Sequence, residues 1–497
     1  MKKITENYPE VKLGMVGVSR DCFPAELTKS RLAKVAECAK KDNLEITVLK
    51  TIVENENDAA MAAIELQAQG VNTLVIYLGN FGPEGPTTIL AKNFNGPIMI
   101  CAASEDGADR LMDDGRGDAY CGMLNCSYNL GLRNITAHIP EMPVGLPNEI
   151  INMINEFVPV ARIYLGIKGL KVFSFGPRPH DFYACNAPIK PLYDLGIEVM
   201  ENSELDMLQI YNEAEGASEI KDIVADMQHE LGSGNTYPDL LPKLAQFEYA
   251  LTKFKNENLG QSKFAVFANK CWPAFEWAFG FVPCYINSRL ASRGIPVACE
   301  VDLYGAVSEY MCTLATKLPA TILDINNTAP ADLMTGADLK GVDLKDLFMG
   351  FHCGNTPKEC LCSGCSMKYQ LIMHRLMEGD KEPDITRGTL EGTLRPGLIT
   401  LFRLQSTADA KLTSYLAEGN VIDVDPKSFG AIGVIGVKEF GRFYRHVLIE
   451  KRFPHHTAMA FDKAGKTLFA AAKLLGIPEI STPRSAGNKY PTENPFS

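Results

Sequence analysis

The 497-residue sequence contains no apolar stretch approaching the roughly 20 residues that a bilayer-spanning helix needs. Its first residues, Met-Lys-Lys-Ile-Thr-Glu-Asn-Tyr-Pro-Glu, lack the apolar core of a signal peptide. These absences lead to the expectation of a cytoplasmic protein with no membrane partner. A cationic surplus is missing too: 49 Lys and Arg against 60 Asp and Glu leave a net charge of -11. That balance disfavours nucleic acid or an anionic bilayer as a partner of any diffuse basic surface. No G-x-G-x-x-G follows either opening strand, so a dinucleotide site has no motif behind it. No repeat of solenoid period is present. Tryptophan is scarce, at two residues. Cysteine is not, but fourteen Cys in a chain read as cytosolic count mainly as small buried hydrophobes, since disulfides seldom persist in a reducing compartment.

What is there is the composition of a folded globular chain, 46% hydrophobic and 22% charged, too long for one ordinary core. From Lys12, apolar runs of about six residues alternate with segments at helical spacing, the punctuation of a parallel sheet covered on both faces. Strands are expected at 12–18, 45–53, 73–78 and 98–101, with helices at 25–41 and 59–70. A second series starts near Leu170, with strands at 171–175, 197–200, 264–267, 295–299 and 320–325. After about 345 the texture turns to Gly-rich β structure, with helices near 366–378 and 463–475 and a polar arm at 481–497. The expected fold class is α/β: two Rossmann-like parallel-sheet domains, 1–165 and 166–345, then a mainly β domain, 346–497.

The chemistry concentrates at three places where apolar runs stop. Glu300 closes Gly-Ile-Pro-Val-Ala-Cys-Glu, Asp324 closes Ala-Thr-Ile-Leu-Asp, and His455 and His456 follow Arg-Phe-Pro. Strand ends of a parallel sheet line its ligand crevice. The 24-residue interval from Glu300 to Asp324 fits two neighbouring strands of one sheet joined by a helix around 305–317. A lone strand-end carboxylate usually caps a helix or pairs with Lys, and two His before Thr also suit a wet loop. Three convergent positions count against that. Two carboxylates and an imidazole, His456 being better placed, make a mixed O/N site suited to Mn²⁺ or a related divalent cation. Such an ion chelates adjacent sugar oxygens while a carboxylate takes a proton from the neighbouring carbon, the steps of ene-diol isomerisation.

At these residues the chain resembles the L-fucose/L-arabinose isomerase family. The resemblance lies in Asn-Lys-Cys-Trp-Pro (269–273), Ala-Cys-Glu-Val-Asp (298–302), Leu-Asp-Ile (323–325), Phe-His-Cys-Gly-Asn (351–355), Gly-Thr-Leu (388–390) and Pro-His-His-Thr (454–457). It implies an aldose–ketose isomerase of three domains with a Mn²⁺ site, assembled as a homo-oligomer, hexamer or trimer, with active sites at subunit interfaces. Fucose-type members hold the metal with a Glu, an Asp and one His, both carboxylates relaying protons; carried over, these are Glu300, Asp324 and His456. Arabinose-type members use two Glu and two His, so Asp324 favours the fucose type, while His352 stands as a possible fourth ligand. The overall length is closer to the arabinose type.

Around this set, Arg20, Asn80 and Phe81 end the first and third strands and are candidate sugar contacts, the first domain covering a neighbour's site by the same resemblance. Arg178 and His180, in Gly-Pro-Arg-Pro-His, offer further polar groups, and Trp272, His352 and His455 complete the expected substrate pocket. Arg20 pairing with an acid, and Trp272 buried in a core, are equally fair. Cys353, Cys360, Cys362 and Cys365 form the densest Cys cluster, open to a structural metal but more in keeping with reduced, packed thiols. The expected substrate is a free monosaccharide of the L-fucose, D-arabinose or L-arabinose type. An anionic hexose such as sulfoquinovose is the alternative and would use Arg20 and Arg178. A non-catalytic sugar-binding protein, and a metal-dependent hydrolase or lyase, are the readings from other classes.

Overall fold

The structure, a computed structural model, describes residues 1–108, 111–112 and 115–496. Two compact units emerge: Pro9–Leu165 with Ala470–Gly476, and Gly166–Phe469 with Met1–Tyr8 and Ile477–Ser497.

The first unit is built on five parallel strands, β1 (Leu13–Val18), β2 (Ile46–Val53), β3 (Thr73–Leu78), β4 (Ile98–Ala103) and β5 (Val144–Gly145). Their order is β2-β1-β3-β4-β5. Every residue of β1, β3 and β4 is buried, as a strand covered on both faces requires. The order reverses between β1 and β3, so the crevice of this unit opens where Ser19, Arg20, Asn80 and Phe81 follow the two strands. The helix expected from Ala59 begins at Glu56, because Asn55 and Asp58 cap it reciprocally.

Four parallel strands open the second unit: β6 (Leu170–Phe175), β7 (Glu198–Asn202), β8 (Phe264–Asn269) and β9 (Val297–Cys299), in the order β7-β6-β8-β9. The remaining strands are β10 (Ala320–Thr328), β11 (Leu347–His352), β12 (Ser366–Tyr369), β13 (Arg387–Thr393), β14 (Gly397–Ser406), β15 (Leu412–Ile422), β16 (Ala431–Gly436), β17 (His456–Ala460) and β18 (Ile480–Ser481). They form one sheet, β12-β13-β16-β11-β10-β17-β14-β15-β18, and an extra pairing of β15 with β16 closes six of them into a ring. Two parallel α/β sheets followed by a mainly β region is the expected fold class.

Four local expectations need correction. Strand β10 was expected beside β9, yet it pairs antiparallel with β11 and β17 in the nine-stranded sheet. The helix Leu303–Thr316 therefore bridges two sheets; a strand's period does not say which edge it joins. The stretch expected to be helical from 366 starts as β12, and the helix begins at Leu371, where the Gln370 side chain accepts from Met373 N. His455 and His456 stand at the beginning of a strand rather than its end. The helix Pro147–Lys168 is long and apolar enough to cross a membrane, but 56% of its apolar window is buried in the protein, as in a core helix. The C-terminal arm does wrap: β18 joins β15, and Arg442 bonds Glu493 while lying over the Tyr490 ring.

Candidate metal centre

The turn after β9 carries two acids. Glu300 and Val301 adopt positive φ angles of 60° and 57°. That region is costly for a non-glycine residue and most of all for β-branched valine, so the surroundings hold the conformation. Val301 is buried, its N–H reaching Asn269 O at 3.3 Å, and Asp302 N bonds Cys299 O at 3.1 Å. Asp302 then caps the helix Leu303–Thr316, accepting from Gly305 N at 2.9 Å. A Cβ at position 305 would collide with that carboxylate.

The other side of the site is set by register. Asp324 on β10 stands opposite His456 on β17 and opposite Phe351 on β11, one residue before His352. His456 Nε2 lies 3.2 Å from Glu300 Oε2 and 3.3 Å from Asp324 Oδ1, and His455 Nε2 lies 3.6 Å from the same Asp324 oxygen. Glu300 Oε2, Asp324 Oδ1 and His456 Nε2 are all buried without a hydrogen-bond partner. Two unspent carboxylate oxygens at this range from one unspent imidazole nitrogen suit a hard or borderline cation beside His456, and such burial without compensation is otherwise costly. Candidate metal-ligand groups among the described residues all contain His456, joining it with Cys185 and Asp302, with Glu300 and His455, or with Asp324 and His352, so Glu300 and Asp324 each meet His456 in a separate group.

Electrostatics agree with that fit. Burial alone disfavours a charged ring, yet Cys185, Asp302 and Asp324 hold the His456 pKa well above its ordinary value. A proton there stands where a cation would. Burial raises and His456 lowers the Asp324 pKa, and the histidines win, keeping this carboxylate below its usual range. His455 and His352 are pushed down, in each case first by burial.

His352 is buried, and its Nδ1 accepts from Cys353 N at 2.8 Å. A neutral ring so bonded carries its proton on Nε2, and the same residue stands with Asp324 and His456 in one of the candidate ligand groups. Trp272 donates Nε1–H to Glu300 Oε1 at 3.3 Å. Phe182 meets Trp272 and His455 edge-on, at 6.1 and 5.3 Å between ring centroids. Arg178 Nη2 lies 3.5 Å from Cys185 O, and its Nε is buried without a partner. His180 is exposed.

Arg20, Asn80 and Phe81 belong to the other compact unit. The Asn80 amide, expected to face sugar, is fully buried and spent on Arg20 N, Gly82 N and Ser19 Oγ, tying the two switch-point loops together. Arg20 lies over the Phe81 ring and 3.8 Å from Glu84. None of the four clustered cysteines falls in a candidate ligand group among the described residues: Cys353 accepts from Gln370, Cys360 points at Pro319 O and Cys362 at Leu394 O. Asp302, Cys185, Arg403 and Phe182 escaped the sequence reading. Only Asp302 left a signal there, as the last residue of Ala-Cys-Glu-Val-Asp.

Family models match two stretches of the chain. Residues 14–168 match the fucose/sulfoquinovose isomerase N-terminal domain, and residues 350–481 match the L-fucose isomerase C-terminal domain, together more than half of the chain. The chain belongs to the fucose isomerase-like family. Glu300 and Asp324 fall between the two matched stretches, while His352, His455 and His456 fall inside the second. Among curated relatives, a sulfoquinovose isomerase of Clostridium sp. (strain MSTE9) is 26% identical over 59% of this chain and 60% of its own. One from Alkalicoccus urumqiensis is 22% identical over 63% of this chain and 65% of its own. In both, the match spans less than two thirds of the relative. A third, from Priestia aryabhattai, is 20% identical over 93% of this chain and 97% of its own.

Proposed function

We propose that this chain is a divalent-metal-dependent aldose–ketose isomerase acting on a free monosaccharide of the L-fucose, D-arabinose or L-arabinose type. The observation that carries the reading is the convergence of Glu300 Oε2, Asp324 Oδ1 and His456 Nε2, each buried and unpartnered, in a member of this family. Mn²⁺ is the cation of choice, held by Glu300, Asp324 and His456. When bound, it supplies chelation of adjacent sugar oxygens and polarisation of the carbonyl.

The chain's own residues do the rest. One of the two carboxylates takes the proton from the carbon beside the carbonyl and returns it to the former carbonyl carbon, while the hydroxyl proton on that neighbouring carbon's oxygen passes to the former carbonyl oxygen, so the sugar is rearranged with no net gain or loss of atoms. His352, with its proton on Nε2, suits donation to a sugar oxygen. Phe182, Trp272 and His455 form a wall against which a C–H face packs and which excludes water. The protein is read as cytoplasmic and homo-oligomeric, a hexamer or trimer.

A 6-sulfo sugar is the second reading. The relatives' names and the unpartnered Arg178 Nε favour it, because a sulfonate calls for a cationic side chain. The deciding experiment strips the protein with chelator, restores Mn²⁺ and follows ketose by NMR across pentoses, 6-deoxyhexoses and 6-sulfohexoses. Ketose formed only with metal establishes the isomerase and its substrate class. Sugar binding that survives chelation, without turnover, would replace it with a binding protein.

A further inference from the structure

Behind His456 lies a second layer of buried charge. Asp302 is 0% exposed, and its Oδ2 lies 2.8 Å from His456 Nδ1. Both of its oxygens also take the Arg403 guanidinium, Nη1 to Oδ2 at 2.5 Å and Nη2 to Oδ1 at 2.9 Å. Arg403, on β14, is itself 0% exposed, and Gln405 Oε1 braces it at 2.6 and 3.1 Å. The only other group at His456 Nδ1 among the described contacts is the Cys185 thiol, at 3.5 Å.

A buried ion pair is a poor device for stability alone, because desolvating both charges costs about what their attraction returns, and an apolar pair of similar volume often does as well. Position 403 lies between Phe402 and Leu404, both fully buried, in a strand rich in apolar residues. What the pair does that an apolar pair would not is present a carboxylate, fixed by a planar fork, to one nitrogen of one histidine. A carboxylate accepts and cannot donate, so Nδ1 carries a proton, and in the neutral ring that a cation would bind the lone pair is on Nε2, facing Glu300 and Asp324. The thiol is a weak acceptor and fixes nothing. Charge points the same way. Glu300, Asp324 and Asp302 place three negative groups around one imidazole, and Arg403 offsets one of them, which leaves the two that a divalent cation neutralises.

We propose that Asp302 and Arg403 are a positioning pair that sets His456 as a lone-pair donor at Nε2 and so sets the divalent-cation affinity of the site. The inference rests on the reading of His456 as a ligand.

The test uses the full chain, stripped with chelator and titrated with Mn²⁺, free Mn²⁺ being followed by electron paramagnetic resonance. Asp302→Asn alone would leave a buried guanidinium unpaired and risks misfolding, so the main variant is Asp302→Asn/Arg403→Met, which removes both charges together. Arg403→Lys, which keeps the charge and loses the fork, is the second. The double variant is expected to bind Mn²⁺ about 10- to 100-fold more weakly, as loss of such an outer partner does. Its unfolding midpoint in chelator should stay close to the wild type's, and Arg403→Lys should fall between. A merely structural pair gives the reverse, a lowered midpoint with unchanged affinity. Mn²⁺ affinity equal to the wild type's in both variants overturns the proposal while leaving the isomerase reading intact if the wild type forms ketose. A wild type that binds no divalent cation overturns both.

Discussion

Asp324 and His456 face each other across the antiparallel pair β10–β17, with the imidazole Nε2 3.3 Å from the carboxylate Oδ1. That single register brings a strand that leaves the second α/β region against one that closes the β region, and Glu300 reaches the same point from the end of β9.

The paired carboxylates give the sharpest expectation. Glu300→Gln and Asp324→Asn should each lower ketose formation by about 10²- to 10⁴-fold, the scale of lost proton transfer, with folding retained. NMR of the sugar and far-UV circular dichroism together check this. Full activity in either variant would remove that residue from the mechanism.

Metal removal should be visible without any substrate. A cation that binds only the folded chain stabilises it by about 2.7 kcal/mol at a hundredfold excess over Kd. Chelator should therefore lower Tm, and Mn²⁺ should restore it, while Glu300→Gln protein responds much less. Identical melting with and without Mn²⁺ in the wild type would count against the site.

Glu309 makes a pH prediction away from the metal. It is buried, one carboxylate oxygen has no partner, and burial pushes its pKa up to about 8 from an ordinary 4.5. Below the lower value, folded and unfolded chains both hold the proton. Between the two values only the folded chain holds it, so this group's contribution declines as pH rises toward about 8. Glu309→Gln should thus match the wild type at about pH 4 and be more stable at about pH 8, by on the order of a few kcal/mol. Urea unfolding at both values measures it, and an equal effect at both would refute the assignment.

Cys362→Ser/Cys365→Ser should leave bound metal unchanged by elemental analysis, since neither thiol falls in a candidate ligand group among the described residues and Cys362 points at Leu394 O. Loss of a stoichiometric Zn²⁺ or iron would show that a second centre exists.

Phe182 was invisible in the sequence because its role depends on a loop folding back over Trp272 and His455. At Asn80 the packing adds what a motif cannot. A polar residue at a ligand edge looks like a contact, but only the three-dimensional packing shows its amide already spent. The Cys-rich stretch, read as reduced, packed thiols, makes a related point, since spacing along the chain says little about where thiols point once a strand pair and a turn intervene.

The sequence by itself determined the alternation of strands and helices and the change of texture after the second α/β region, and it singled out Glu300, Asp324 and His456 as candidates. Those signals are local: hydrophobic period, turn residues and short motifs are written in neighbouring positions. Tertiary structure alone decided that β10 lies in the nine-stranded sheet, that Asp324 is in register with His456, and that Asp302 and Arg403 stand behind the imidazole. Strand pairing joins residues far apart in the chain, and its register is set by the packing of whole faces rather than by any one segment.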